Sequence, residues 1–276
     1  MTGTLSQLIA LASYGNAYLQ KKEMPEGFGS SNSAFTFCNK VDFRVFERSF
    51  FSKTPKEDIV GDTPEEWFAY LKQTHCNRLV LYYEGSKDQS QAKDHQLAGF
   101  IGGGGTWFIE AVYEKHSSFW AARWEVTDQQ APDNKIWRVN YGMFSGKQAI
   151  HNLQFDKEQV KQELYQTLES IADFATTQNL GSWAGIFERA KAVLDSPAPS
   201  ENYYHKDLFP SGMYDQLSQQ LLFAAGSAWV FGGMGSWNDL GFESDEDNDR
   251  YSSLSAALYS AINTAIIAAV NSPGQP

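Results

Sequence analysis

Five carboxylates fall on or beside stretches that alternate like strands: Asp42, Glu47, Glu84, Glu110 and Glu125, with Arg44, Arg78, Arg123 and Arg138 nearby. Two carboxylates about 5–9 Å apart among Trp and Tyr side chains would suit acid and base work on a glycosidic bond. Glu84, Glu110 and Glu125 are the candidates for such a catalytic pair. The competing expectation is simple alternation, with one sheet face carrying Arg–Glu pairs in water and the other packing aromatics. Along Ser118–Glu125, Trp120, Ala122 and Trp124 share one face while Arg123 and Glu125 share the opposite one. If the tryptophans are core, that arginine and glutamate are solvated.

Other chemistry finds less support. His75, His95, His116, His151 and His205 make no HExxH and no pair at helical ligand spacing, so no metal site is expected. Cys38 sits in the apolar Phe35–Val45 segment, where a buried inert thiol is the ordinary reading, and GxSxG is absent. Gly102–Gly105 is followed by Thr106-Trp107 rather than Lys-Ser/Thr, so it is no phosphate loop. It reads as a hairpin connection, with a flexible ligand-covering loop as the alternative. No cofactor is implied.

Two neighbouring segments suit an interface better than a reaction. Phe231–Phe242 sets glycines among Phe, Met and Trp, so Trp237 and Phe242 are either tucked onto the core or displayed as anchors. Glu243–Asp249 then holds five carboxylates in seven residues. It fails the calcium-loop pattern, because Arg250 and Ala256 stand where Gly and Glu are needed. Its anions precede the last helix, a favourable place in the helix dipole. The candidate interaction residues are Trp237, Asn238, Asp239, Phe242, Asp245, Glu246 and Asp247. The triplets Gly181-Ser182-Trp183 and Gly235-Ser236-Trp237 echo one another beside expected helix ends, which suits turn chemistry.

The elements that would carry these residues can be read from periodicity. Ala34–Phe51 reads as a strand with an ambiguous phase. Arg78–Glu84, Leu97–Ile101, Thr106–Val112, Ser117–Thr127 and Lys135–Phe144 follow as strands, the last two joined by a loop with Pro132, Asp133 and Asn134. Thr63-Pro64-Glu65-Glu66 starts a helix running to about Gln73. From about residue 155 the period becomes helical. Asp156 caps the first helix, and three more are expected over 183–194, 212–231 and 251–270. The N-terminal stretch reads as an amphipathic helix rather than a signal peptide. The fold class expected is α+β: a largely antiparallel sheet of at least five strands in the first half, packed by helices mainly from the second half. One domain over 1–276 is favoured, with a β-rich 1–155 and a helical 156–276 as the alternative division.

Composition bounds the partners. The 276 residues carry 22 Lys+Arg against 33 Asp+Glu, for a net charge of −11, and aromatics make up 14%. Generic nucleic-acid binding is not expected. The acidity is concentrated in residues 201–276, which hold 9 acids and 2 bases. The most apolar window, LSAALYSAINTAIIAAV, is short for a membrane span and broken by polar residues. Two cysteines make no disulfide scaffold, and a cytoplasmic location is expected. The leading functional expectation is a non-catalytic accessory protein that binds a protein partner with a basic surface. The alternatives are a carbohydrate-acting hydrolase using the carboxylate pair, and a homodimeric scaffold subunit joined through the alanine-rich face of 256–269.

Overall fold

Thr2 accepts a hydrogen bond from the Leu5 amide and so starts the first helix, α1 (Gly3–Leu19). Leu5 through Ala17 are all buried, so α1 is not the half-exposed amphipathic helix that its sequence suggests. It lies between the sheet and the helical half, touching β3 (Arg78–Glu84), β4 (Thr106–Val112), α3 (Pro64–Gln73) and α8 (Asp245–Val270). Gly15 is needed there: a Cβ at that position would stand 2.4 Å from Leu79 Cδ1. This computed structural model describes residues 1–21, 24–47, 56–100, 102–131, 133–144, 149 and 153–272. The expected strand residues 48–51 and Ile101, the loop residue Pro132 and His151 lie outside the described residues.

The remaining elements are α2 (Phe28–Ser31), β1 (Cys38–Glu47), β2 (Lys56–Gly61), α4 (Asp94–Leu97), β5 (Ser117–Val126), β6 (Trp137–Phe144), α5 (Lys157–Thr177), α6 (Gly181–Val193) and α7 (Gln216–Ser227). The fold is α+β, with a six-stranded sheet in the order β2-β1-β6-β5-β4-β3. Four pairings are antiparallel, but β1 and β6 run parallel, so the sheet is mixed. Short connections enforce antiparallel pairing only between consecutive strands. The chain leaves β2 through α3 to the far edge at β3 and returns by hairpins, so β6 meets β1 with no direct connection between them.

Several expected elements are in place. Thr63 accepts from the Glu66 amide, and Asp156 accepts from those of Glu158 and Gln159. The Glu66 carboxylate reaches back to the Asp62 amide at 2.7 Å, one residue beyond the Thr63 amide that a capping box would use. Two expectations change. Leu97–Phe100 is no strand, since α4 ends at Leu97 and a turn follows, so the glycine run joins a helix to β4. The helices lying on the sheet come chiefly from the first half, α1 and α3, while α5 to α8 pack mostly on one another, with α8 also touching β3. The largest buried cluster runs through both halves, from Leu5 to Val270.

α8 is the one described helix long and apolar enough to cross a membrane. Its Leu258, Ile262, Ala265, Ile266, Ala268 and Ala269 are buried in the core, against neighbours that include α5 and α7. Much of the alanine-rich face is therefore packed within the chain, with Ala265, Ala268 and Ala269 buried, while Ala256 and Ala261 are half-buried and Ala257 is exposed.

Candidate functional site

A fork in the sheet makes the main cavity. β4 and β5 are zipped at their hairpin end, from Val112↔Ser117 to Ile109↔Trp120, and there the ladder stops. Thr106, Trp107 and Phe108 keep their partners Glu84, Tyr83 and Tyr82 on β3. Ala121 to Val126 keep theirs on β6, Gly142 to Trp137. The two strand edges that would continue the pairing diverge, and a cavity of about 960 Å³ opens between them, lined by Thr106 and Trp107 on one arm and Ala121 to Trp124 on the other. An unpaired edge turns N–H and C=O groups toward whatever lies beside it.

Glycines shape the adjoining wall. Gly102, Gly104 and Gly105 have φ of 77°, 77° and 80°, the left-handed region that favours glycine. A Cβ at Gly99 would stand 2.1 Å from the Gly232 carbonyl carbon, so the two glycine-rich segments cross backbone against backbone. That crossing brings Phe231 and Gly232 into the cavity lining beside Phe100 and Gly102–Gly105. The Gly104 carbonyl accepts from the Tyr259 phenol behind it at 2.8 Å, with the Tyr83 phenol oxygen also near, at 3.0 Å. The glycine run joins α4 to β4 and borders the cavity, so it is not the expected hairpin connection.

The lining is aromatic and almost uncharged. Trp107, Trp124, Trp137, Trp229, Phe231 and Tyr259 wall the cavity, and Phe37, Phe100 and Tyr204 stand at it 50%, 62% and 68% exposed. Among the described residues no Asp or Glu lines it, in a chain of net charge −11; Arg123 and His205 are the basic side chains found there. Exposed aromatics gathered at one concavity are a departure from the scattered apolar residues of an ordinary surface.

Nucleophile chemistry is not assembled there. Ser33, His205 and Asp207 meet, with His205 Nδ1 2.8 Å from Ser33 Oγ. The Ser33 hydroxyl and amide both donate to Asp207, so serine stands between histidine and carboxylate. A serine nucleophile needs histidine in the middle position, where it can take the proton. Burial lowers the His205 pKa. Burial also pushes the Cys38 thiol up to about 11, despite the Gln7 amide donating to it at 3.0 Å. Gln7 itself accepts from Tyr141 at 2.8 Å and ties the cavity floor to the core.

The three candidate catalytic carboxylates do not converge. Glu84 faces Thr106 and Glu110 faces Val80, four positions apart on one ladder, or about 13 Å. Glu110 faces Phe119, six positions from Glu125 on β5, about 20 Å. None of them lines either cavity described here. Glu110 is buried, and Glu125 is exposed with Arg123 at 3.6 Å, as alternation on β5 implies. Asp42 is buried between Arg44 and Arg138, whose guanidinium groups both bond it. Among the described residues no three His, Cys, Asp or Glu side chains gather as metal ligands.

The candidate interaction residues divide: Trp237 is buried, Asn238, Phe242 and Asp247 are half-buried, and Asp239, Asp245 and Glu246 are exposed. Trp237 is fully buried, its indole donating to Ser255 Oγ at 2.8 Å and its ring against Trp183, Phe187 and Tyr251. It is therefore no displayed anchor, and the two Gly-Ser-Trp triplets meet through their tryptophans. Phe242 packs on Phe174 and Tyr251. Asn238 donates to the His95 carbonyl, and Asp239 accepts from the amides of Gly235 and Ser236. Asp245, Glu246 and Asp247 form the first turn of α8 behind the Ser244 cap, with Asp247 also held by Gln178. Comparison with protein-family profiles, curated proteins and solved structures finds no match to this chain.

Proposed function

We propose that this protein is a non-catalytic binding protein that takes an extended, apolar segment of a partner protein into the cavity between β4 and β5. The observation that carries this reading is the ladder that stops at Ile109↔Trp120 while each strand keeps its other neighbour. Two strand edges bordering one apolar cavity offer main-chain hydrogen bonds along the segment and aromatic walls for its side chains. The exposed Phe37, Phe100 and Tyr204 would extend the contact beyond the fork. A binding role also agrees with the protonated Cys38 and with the order of Ser33, His205 and Asp207. The acidic turn of α8 needs no partner in this reading, since Ser244 and the helix dipole account for it.

The test is selection from a displayed library of short peptides, repeated with Ala122→Trp, which fills the fork. Selected peptides should be apolar, should lose at least tenfold in affinity for the variant, and should slow amide exchange at Thr106–Trp107 and Ala121–Arg123. Peptides that bind the variant as tightly as the parent would overturn the reading. So would native mass spectrometry of the purified protein that finds an apolar small molecule in the cavity, displaced by no peptide.

A further inference from the structure

A second, smaller cavity of about 290 Å³ lies between the end of β3, α4 and α8, lined by residues that include Tyr83, Asp94, His95, Tyr259 and Asn263. Three of these are polar side chains almost wholly removed from water: Asp94 is 5% exposed, His95 3% and Asn263 4%. Burial of such groups is costly unless each is hydrogen-bonded. Here the bonding is lopsided.

Asp94 Oδ2 accepts from Tyr83 Oη at 2.7 Å, the Ser86 amide at 3.0 Å and Gln89 Nε2 at 3.1 Å. Its Oδ1 has no partner among the described residues. Burial alone would raise this carboxyl, but the Ser86 and Tyr83 bonds more than offset that, and its pKa is lowered. One oxygen is thus fixed by the protein and the other is left charged and unused. His95 is fixed in the same way. Asn238 donates its Nδ2 to the His95 carbonyl at 2.8 Å, so its oxygen faces His95 Nδ1 at 3.5 Å. That places the ring proton on Nδ1 and leaves Nε2 as an acceptor, which has no partner. The Asn263 amide lies beside Tyr259, whose pKa burial raises and this amide lowers in part, and neither its nitrogen nor its oxygen reaches a partner at good hydrogen-bond geometry.

The cavity therefore offers acceptors and a negative charge, beside the rings of Tyr83 and Tyr259, whose centroids lie 6.0 Å apart. A metal ion is a poor match, since no three-ligand cluster exists among the described residues. An ammonium group carries three N–H donors and a positive charge that aromatic faces also favour. Lys93 lines the same cavity with its amine tied to Ser252 at 2.9 Å; its charge opposes any cation there and a divalent one most, so the ammonium relies on the Asp94 charge and on its N–H donors. We propose that this cavity binds a primary ammonium group, donating to Asp94 Oδ1, His95 Nε2 and the Asn263 carbonyl oxygen. The site is separate from the fork, with Tyr259 the residue common to both linings, and does not rest on the reading given to the fork.

The experiment is calorimetric titration of the full chain with methyl- to hexylammonium chlorides, against tetramethylammonium and potassium chlorides at equal ionic strength. One-to-one saturable binding of at least one primary amine is expected, with tetramethylammonium at least tenfold weaker because it has no N–H. Asp94→Asn should weaken binding at least tenfold. Because Asp94 also holds Tyr83 and Ser86, Ala256→Leu provides a second variant, filling the cavity from α8 without touching an acceptor, and it should abolish binding. A titration with Nα-acetyl-lysine amide separates the two sources of the group. Binding tighter than butylammonium assigns it to a lysine side chain of a partner, and weaker binding assigns it to a free small amine. The proposal is overturned if no primary amine saturates the protein by about 50 mM, if tetramethylammonium binds equally well, or if Ala256→Leu leaves the affinity unchanged.

Discussion

Asn16 and Asn271 close alternate residues of one strand edge. The Asn16 amide takes both backbone bonds of Leu79, at 2.7 and 2.8 Å, and the Asn271 amide takes both of Leu81, at 2.8 Å each. β3 is the last strand of the sheet, so its outer edge would otherwise present these groups unpaired. One asparagine sits on α1 and the other caps the end of α8. The first and last helices thus seal the same edge, and the same sheet opens between β4 and β5 instead.

Replacing Asn16 with Ala should destabilise the protein by about 2–4 kcal/mol, because the N–H and C=O of buried Leu79 both lose their partner. Asn271→Ala should cost less, about 1–2 kcal/mol, since that side chain is half-buried and water can replace it. Urea unfolding measures both. Equal losses, or none at Asn16, would show that the edge is protected by something other than these amides.

How far the chain could be read in advance depends on how local each signal is. The Thr63 and Asp156 caps, the inward spacing of Val160, Leu164 and Leu168, and the strands through Arg78–Glu84 and Thr106–Val112 are set by neighbours a few residues away, and they appear where periodicity places them. The fork is different. Its arms are two strands whose sequences look the same whether or not they pair, so nothing local marks Ile109↔Trp120 as the last rung. Gly99 is explained only by Gly232, and Ser33 only by His205 and Asp207. Trp237 looked displayable because its flanks are glycine-rich; Ser255 and the rings of α6 that bury it are remote in sequence. The Ser236-x-x-Asp239 capping pattern was the available signal that this segment folds back.

The glycines at the cavity wall and beside it should separate by what each one touches. Gly99→Ala forces a Cβ into the Gly232 backbone, and about 2–4 kcal/mol of stability should be lost. Gly233→Ala meets open space at ordinary φ and should change stability by less than about 0.5 kcal/mol. Gly102→Ala also meets open space, but at a φ of 77°, and about 1 kcal/mol of backbone strain is expected. Thermal unfolding of the three variants gives the ranking. A benign Gly99→Ala would mean that the two segments do not cross as closely as described.

Cys38 should be a slow thiol despite lining the cavity. With a pKa of about 11, roughly one thiol in a thousand is ionised at pH 8, and the thiolate is the reacting species. Cys76, pushed up to about 12 by burial, should be slower still. Iodoacetamide at pH 8 should therefore leave the native protein largely unmodified, while the urea-unfolded chain reacts fully. Rapid native labelling at Cys38 would reopen a nucleophilic role for the cavity.

Acid should weaken the fold in two stages. His95 and His205 have pKa values lowered by burial, so the unfolded chain binds their protons first. Their contribution is fully present above the unfolded value near 6.5 and is lost as pH falls from there through the folded values. Asp42 follows. Burial would raise it, yet the bonds from Arg44 and Arg138 prevail and its folded pKa is lowered. Its contribution is present above the unfolded value near 3.9 and is lost as pH falls below that, through the folded value. Urea midpoints from pH 8 to pH 3 should fall gently below about 6.5 and steeply below about 4. His205→Gln should shrink the first stage. Asp42→Asn should lower the midpoint at pH 7, because two arginines lose their shared carboxylate, and its curve should converge on the parent's toward pH 3. Parallel curves across the whole range would mean that Asp42 is not held ionised by its arginines.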